Sequence, residues 1–113
     1  MSPDRFRGLA LSLPETTEHA HMDHPDFRVR GRIFATLHPK EPWGMVRLTP
    51  VQQRHYARSA PKSFVPVNGA WGARGATYVV LRHASAASVR RALLDAWRNT
   101  APRTLVEQFE SGR

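Results

Sequence analysis

A chain of 113 residues supplies one hydrophobic core and leaves no room for two ordinary domains. Its apolar fraction of 41% and its three Trp are enough to fill that core, which argues against a wholly disordered chain. Seventeen basic residues against nine acidic ones give a formal charge of +8, which argues against an acidic metal-storage surface and points to an acidic partner: nucleic acid, an anionic membrane or an acidic protein.

Ser2-Pro3 opens a helix, because Ser caps and Pro suits the first helical position. Phe6, Leu9, Ala10 and Leu13 give it one apolar face, and Pro14 ends it. Residues 18–23 read as a short edge strand. Phe27 to Leu37 reads as a β-hairpin: Phe27 and Val29 alternate with Arg28 and Arg30, and Gly31 supplies the positive φ of a tight turn. After the turn, Ile33, Ala35 and Leu37 share a face. Pro39 and Pro42 bracket a loop, and Trp43 to Leu48 form the next strand. Thr49 caps a second helix with Gln52 closing a capping box and Pro50 in the first turn; it runs to about Ser59. Residues 66–75 read as a glycine-rich loop, and Ala76 to Arg82 as a strand. Ser85 or Ser88 caps a long helix with Val89, Leu93 and Trp97 as its stripe. Pro102 breaks it, and residues 104–110 add a turn or two. Strands joined by short turns and flanked by helices describe a single α+β domain over residues 1–113. It is a two-layer sandwich, an antiparallel sheet with the N- and C-terminal helices on one face.

The charge belongs to the body of this domain. Residues 26–103 carry 14 cations against Asp26, Glu41 and Asp95, a net of +11, while both ends are slightly acidic. Fifteen of the 17 cations are Arg, whose planar fork grips phosphate in a way Lys cannot. The absence of Cys removes disulfides, Cys-ligated metals and a thiol nucleophile. Asp4, Arg5 and Arg7 interrupt the amino terminus, so neither a secretory segment nor a membrane span is expected, and the expectation is a soluble cytoplasmic protein.

The run His24-Pro25-Asp26-Phe27-Arg28-Val29-Arg30-Gly31-Arg32-Ile33-Phe34-Ala35-Thr36-Leu37 resembles the signature of the MmcQ/YjbR-like family. The Leu11-Ser12-Leu13-Pro14 helix exit, the Trp71-Gly72-Ala73-Arg74-Gly75 segment before a strand, and Trp97 after Leu93-Leu94 match as well. The resemblance covers roughly residues 3–98. It implies a frataxin-like (CyaY-like) α+β fold and the DNA-binding role proposed for the family. Arg32 stands where the family often has Lys, which keeps the charge; Ala76 stands where it often has Trp. Sharing a fold with frataxins does not bring their iron: that needs a ridge of carboxylates, and here Asp4 stands among Arg5 and Arg7.

Four constellations carry chemistry. Arg28, Arg30 and Arg32 surround the hairpin turn, where a ribbon tipped with Arg can straddle phosphates or enter a groove; equally, a half-buried strand needs a polar outer face. In residues 66–75, Trp71 offers a stacking ring, Arg74 a phosphate contact, and Gly69, Gly72 and Gly75 free backbone N–H groups; the plainer reading has Trp71 plugging the edge of the core. His19, His21 and Asp23 have the spacing of a two-His-one-carboxylate metal site, but such histidines more commonly hydrogen-bond at a sheet edge. Arg90, Arg91 and Arg98, with Asp95 nearby, read as a solvated helix face with weak ion pairs.

The resulting expectation is a monomeric, non-enzymatic protein without cofactor or metal. It binds nucleic acid, double-stranded DNA with weak sequence specificity, through Arg28, Arg30, Arg32, Trp71 and Arg74. Neutralising the three hairpin arginines together is then expected to lower DNA affinity. The alternative is a protein-interaction module that uses the uncovered sheet face around Phe34, Tyr78 and Val80.

Overall fold

Ser2 Oγ accepts a hydrogen bond from the Arg5 N–H at 3.1 Å, and Pro3, with no N–H to satisfy, takes the first helical position. These two residues start α1 (Pro3–Leu11), whose Phe6, Leu9 and Ala10 are buried. Glu15 then adopts φ 55° and turns the chain into four consecutive strands: β1 (Thr16–His21), β2 (His24–Val29), β3 (Arg32–His38) and β4 (Trp43–Arg47). The structure is a computed structural model that describes residues 1–112 apart from 22, 23, 39 and 41, and of residue 21 only the backbone. Asp23, Pro39 and Glu41 of the sequence reading therefore lie outside the described residues.

Both residues of the β2–β3 turn have positive φ, Arg30 at 52° and Gly31 at 81°. That is the combination whose twist matches a two-residue hairpin. The sequence had given this conformation to Gly31 alone. A β-bulge follows: Phe27 pairs with Ala35, but Arg28 pairs with Ile33. Phe34 is the extra residue. It is fully buried beside buried Ala35, while Ile33 is only half-buried. The expected grouping of Ile33 with Ala35 and Leu37 is thus corrected, and Phe34 leaves the uncovered face to which the sequence had assigned it.

The chain leaves β4 for α2 (Pro50–Ser59), where both bonds of the capping box form: Gln52 N–H to Thr49 Oγ1 at 3.2 Å and Thr49 N–H to Gln52 Oε1 at 2.9 Å. It returns through β5 (Phe64–Pro66), α3 (Gly69–Ala73) and β6 (Ala76–Val80). Residues 66–75 are therefore not a loop but the end of a strand and a short helix. Ser85 caps α4 (Ala86–Thr100), and α5 (Arg103–Ser111) follows. The sheet is six-stranded, entirely antiparallel, in the order β1-β2-β3-β4-β6-β5.

One face of this sheet holds the core. Phe27, Val29, Ala35, Leu37, Val46 and Val79 point inward and meet Phe6 and Leu9 of α1 and Val89, Leu93 and Trp97 of α4. Trp97 is fully buried; its indole N–H donates to the Pro14 carbonyl at 3.0 Å, and its ring meets Phe109 of α5 at 5.3 Å. The Tyr56 hydroxyl of α2 donates to Asp95 Oδ2 at 2.8 Å; burial and that carboxylate push its pKa above the ordinary tyrosine value. Asp95 thus faces α2, not Arg91 and Arg98 as its helical spacing had indicated. No described helix is long and apolar enough to cross a membrane.

Among the described residues, the other face carries no helix layer. Alternation along the strands puts Arg28, Thr36, Trp43, Met45, Arg47, Tyr78 and Val80 on it.

Candidate nucleic-acid interface

Arg32 opens β3, Arg47 closes β4, and Arg74 follows α3. Antiparallel pairing of β3 with β4 and of β4 with β6 brings these three positions to one end of the sheet. There they line a single depression of about 240 Å³ together with Thr49, Pro50 and Asn99. Arg47 and Arg74 also line an adjoining recess of about 120 Å³ with Trp71. All three arginines are exposed, and among the described residues none of them lies in an ion pair. Arg47 Nη1 donates to the Ile33 carbonyl at 3.3 Å. Asn99 braces the floor, its amide donating to the Arg47 carbonyl at 3.1 Å and to Gln52 Oε1 at 2.8 Å.

The seat of Arg74 depends on Gly75. This glycine has φ 113°, and a Cβ there would collide with the Leu48 carbonyl. Only glycine lets the α3–β6 turn lie against the residue that follows Arg47.

The other two hairpin arginines are held elsewhere. Arg28 makes a bidentate pair with buried Asp26, at 2.8 Å from Nε and 3.2 Å from Nη2. Arg30 pairs with Glu15 in the same way, at 2.6 and 3.1 Å. These hydrogen bonds raise the pKa of both guanidinium groups, and the Arg30 fork holds the Glu15 carboxyl below its ordinary value. The stability from the Glu15 pair is present above the ordinary glutamate range and is lost as pH falls through the lowered value.

A family model described as YjbR matches residues 11–99. The chain belongs to the YjbR family. Among solved structures, the crystal structure of the Deinococcus radiodurans protein DR2400, with a DUF419 domain, is similar at a TM-score of 0.77 and 18% identity, over 98% of this chain and 88% of that one. At that identity the likeness is one of fold. No curated protein matches the chain.

Within this YjbR domain, the sequence-derived residues divide into two sets. Arg32, Trp71 and Arg74 come together at one end of the sheet; Arg28 and Arg30 are tied to carboxylates. Trp71 does not plug the core: the residue is 64% exposed. Arg47 was missed, because only the sheet register places it beside Arg32 and Arg74. Also missed was a row of rings on the uncovered face. His24 of β2 and His38 of β3 lie 3.7 Å apart between centroids, His38 stacks on Trp43 of β4 at 3.6 Å, and Trp43 meets Tyr78 of β6 edge-on at 4.6 Å. Of the histidine–aspartate set, His19 shares a hydrogen bond with Thr17 at 3.1 Å. No cluster of three metal-ligating side chains occurs among the described residues.

The two pairs give a direct expectation. Arg28→Gln leaves the Asp26 carboxylate buried without its fork, so the melting temperature should fall. Affinity for DNA should stay within about twofold, since a guanidinium already held by a carboxylate adds little to phosphate binding. Thermal melts and anisotropy titrations of the same variant check both halves.

Proposed function

We propose that this protein binds nucleic acid through its phosphates, using Arg32, Arg47 and Arg74. One observation carries the reading: three exposed guanidinium groups line one depression, and among the described residues no carboxylate pairs with them. Arg presents a planar fork to phosphate oxygens, and a group of them seats a polyanion. Phosphate contacts fix position and supply affinity but carry no sequence information, so the reading is of a binder with weak sequence preference. The +8 charge of the chain adds long-range attraction. No reaction is part of this reading.

The test is a titration of the protein into labelled random-sequence DNA at several salt concentrations. Binding should weaken along a log–log line, each phosphate contributing about −0.9 to the slope for a duplex. Binding that does not respond to salt would overturn the reading and favour apolar association on the uncovered sheet face.

A further inference from the structure

Trp71 stands where the arginine cluster meets the uncovered sheet face. On one side it shares a recess with Arg47 and Arg74. On the other it lines a second recess, of about 170 Å³, with Trp43, Met45 and Tyr78. Past Tyr78 the surface opens into a groove of about 550 Å³ between Trp43, Val65, Tyr78 and Val80, with Arg82 on its wall. The paired positions Arg47–Ala76 and Trp43–Val80 mark the two ends of the β4–β6 ladder. Four residue steps along the strand separate them, about 13 Å. Cations at one end, exposed and half-buried aromatic rings with apolar groove in the middle, and a further cation at the other end thus follow one another along these strands.

The ring row explains why the track lies here. His38 stacks on Trp43 and lies tilted against His24, so these three rings are engaged with one another. Beyond Trp43, Tyr78 stands edge-on to it, and Trp71 is the most exposed large apolar side chain of this face.

We propose that this track takes single-stranded nucleic acid, with phosphates on Arg47, Arg74 and Arg82 and unpaired bases on Trp71 and Tyr78; the inference rests on the nucleic-acid reading of the arginine cluster and adds the strand state. A duplex keeps its bases paired and stacked, and offers phosphates and groove edges to a surface of this kind. An unpaired base offers a flat π face of any sequence, which is what an exposed indole beside a cation accepts. Sheet faces that carry aromatic rings stack two or three such bases in other single-strand readers. Cations at both ends of the track complement a backbone charged along its whole length, which an apolar protein segment lacks.

Anisotropy titrations of the full chain with labelled oligothymidine and with a duplex of equal length, at the same salt, test this. Oligothymidine should bind more tightly than the duplex. Trp71→Ala should weaken oligothymidine about 5- to 100-fold, the range for loss of one base–aromatic stack, and leave the duplex within about twofold. Trp71→Phe should recover most of the loss. Arg82→Gln should lower the oligothymidine salt slope by about 0.7, one single-strand phosphate. Equal or tighter binding of duplex, or a Trp71→Ala effect that is absent or the same on both ligands, overturns the single-strand inference while the phosphate reading stands. Failure of both ligands to bind at low salt overturns the phosphate reading and this inference with it.

Discussion

Replacement of Arg32, Arg47 and Arg74 together by Gln is expected to weaken nucleic-acid binding by the order of a hundredfold at moderate salt, with the fold intact. A hydrogen bond to a charged group is worth about 1.5–3 kcal/mol net where it is well formed, and three such groups act on one ligand. The total stays below the simple multiple, because neighbouring contacts on one chain of phosphates are not independent. The salt response is the sharper measure. Each lost phosphate contact removes about 0.9 from the duplex slope, so the triple variant should be flatter by between two and three. Stability should hardly move, because among the described residues none of the three lies in an ion pair. Relief of repulsion between clustered cations even favours the variant slightly. The matched control is Arg28→Gln with Arg30→Gln. It removes two charges from the same hairpin but takes forks away from Asp26 and Glu15 instead. If the control weakens binding as much as the triple variant does, the effect is one of net charge and the site assignment is overturned. Circular dichroism and melting curves on every variant separate binding from folding.

The contrast between the two sets shows where the sequence was readable. Signals confined to a few residues translated directly. Ser2, Thr49 with Gln52, and Ser85 each cap the helix they precede, and Arg30-Gly31 makes the hairpin turn. The period-3.6 stripe of Val89, Leu93 and Trp97 lies against the sheet as its spacing required. The α+β sandwich follows from these pieces. What failed depends on distant partners. β5 has three residues and exists because it pairs with β6; α3 contains two glycines in five residues and owes its helix to its seat, with Gly72 lying under the Val67 carbonyl. The bulge at Phe34 inserts a residue into an alternating pattern, and the unbroken apolar run Ile33-Phe34-Ala35 was its only trace. The arginines divide along the same line. Sequence proximity grouped Arg28, Arg30 and Arg32, because they surround one turn. Register instead groups Arg32 with Arg47 and Arg74, which among the described residues lie in no ion pair.

Gly75→Ala is expected to destabilise the domain by about 2–6 kcal/mol and to take the binding site with it. Two costs add. The residue sits at φ 113°, far from where an L side chain is comfortable, and such strain costs about 1–3 kcal/mol. The new Cβ would also run into the Leu48 carbonyl, a backbone group with no rotamer to change, and overpacking of this kind costs about 1–3 kcal/mol more. Relief requires the α3–β6 turn to lift from the β4–α2 junction. Arg74 and Trp71 ride on that turn, and Arg47 stands just before the junction. Nearby groups would be lost with it: Gln53 Nε2, buried, donates to the Gly72 and Ala76 carbonyls at 3.0 and 2.9 Å across the same contact. The variant should therefore melt far below the wild type. Where it remains folded, it should bind oligothymidine no better than Trp71→Ala does. Gly31→Ala is the comparison, since a Cβ there meets open space although φ is also positive. It carries the strain cost alone, and its binding should be unchanged. If Gly75→Ala melts no lower than Gly31→Ala, the close approach to Leu48 is not what seats Arg74 beside Arg47. The cluster would then need another support.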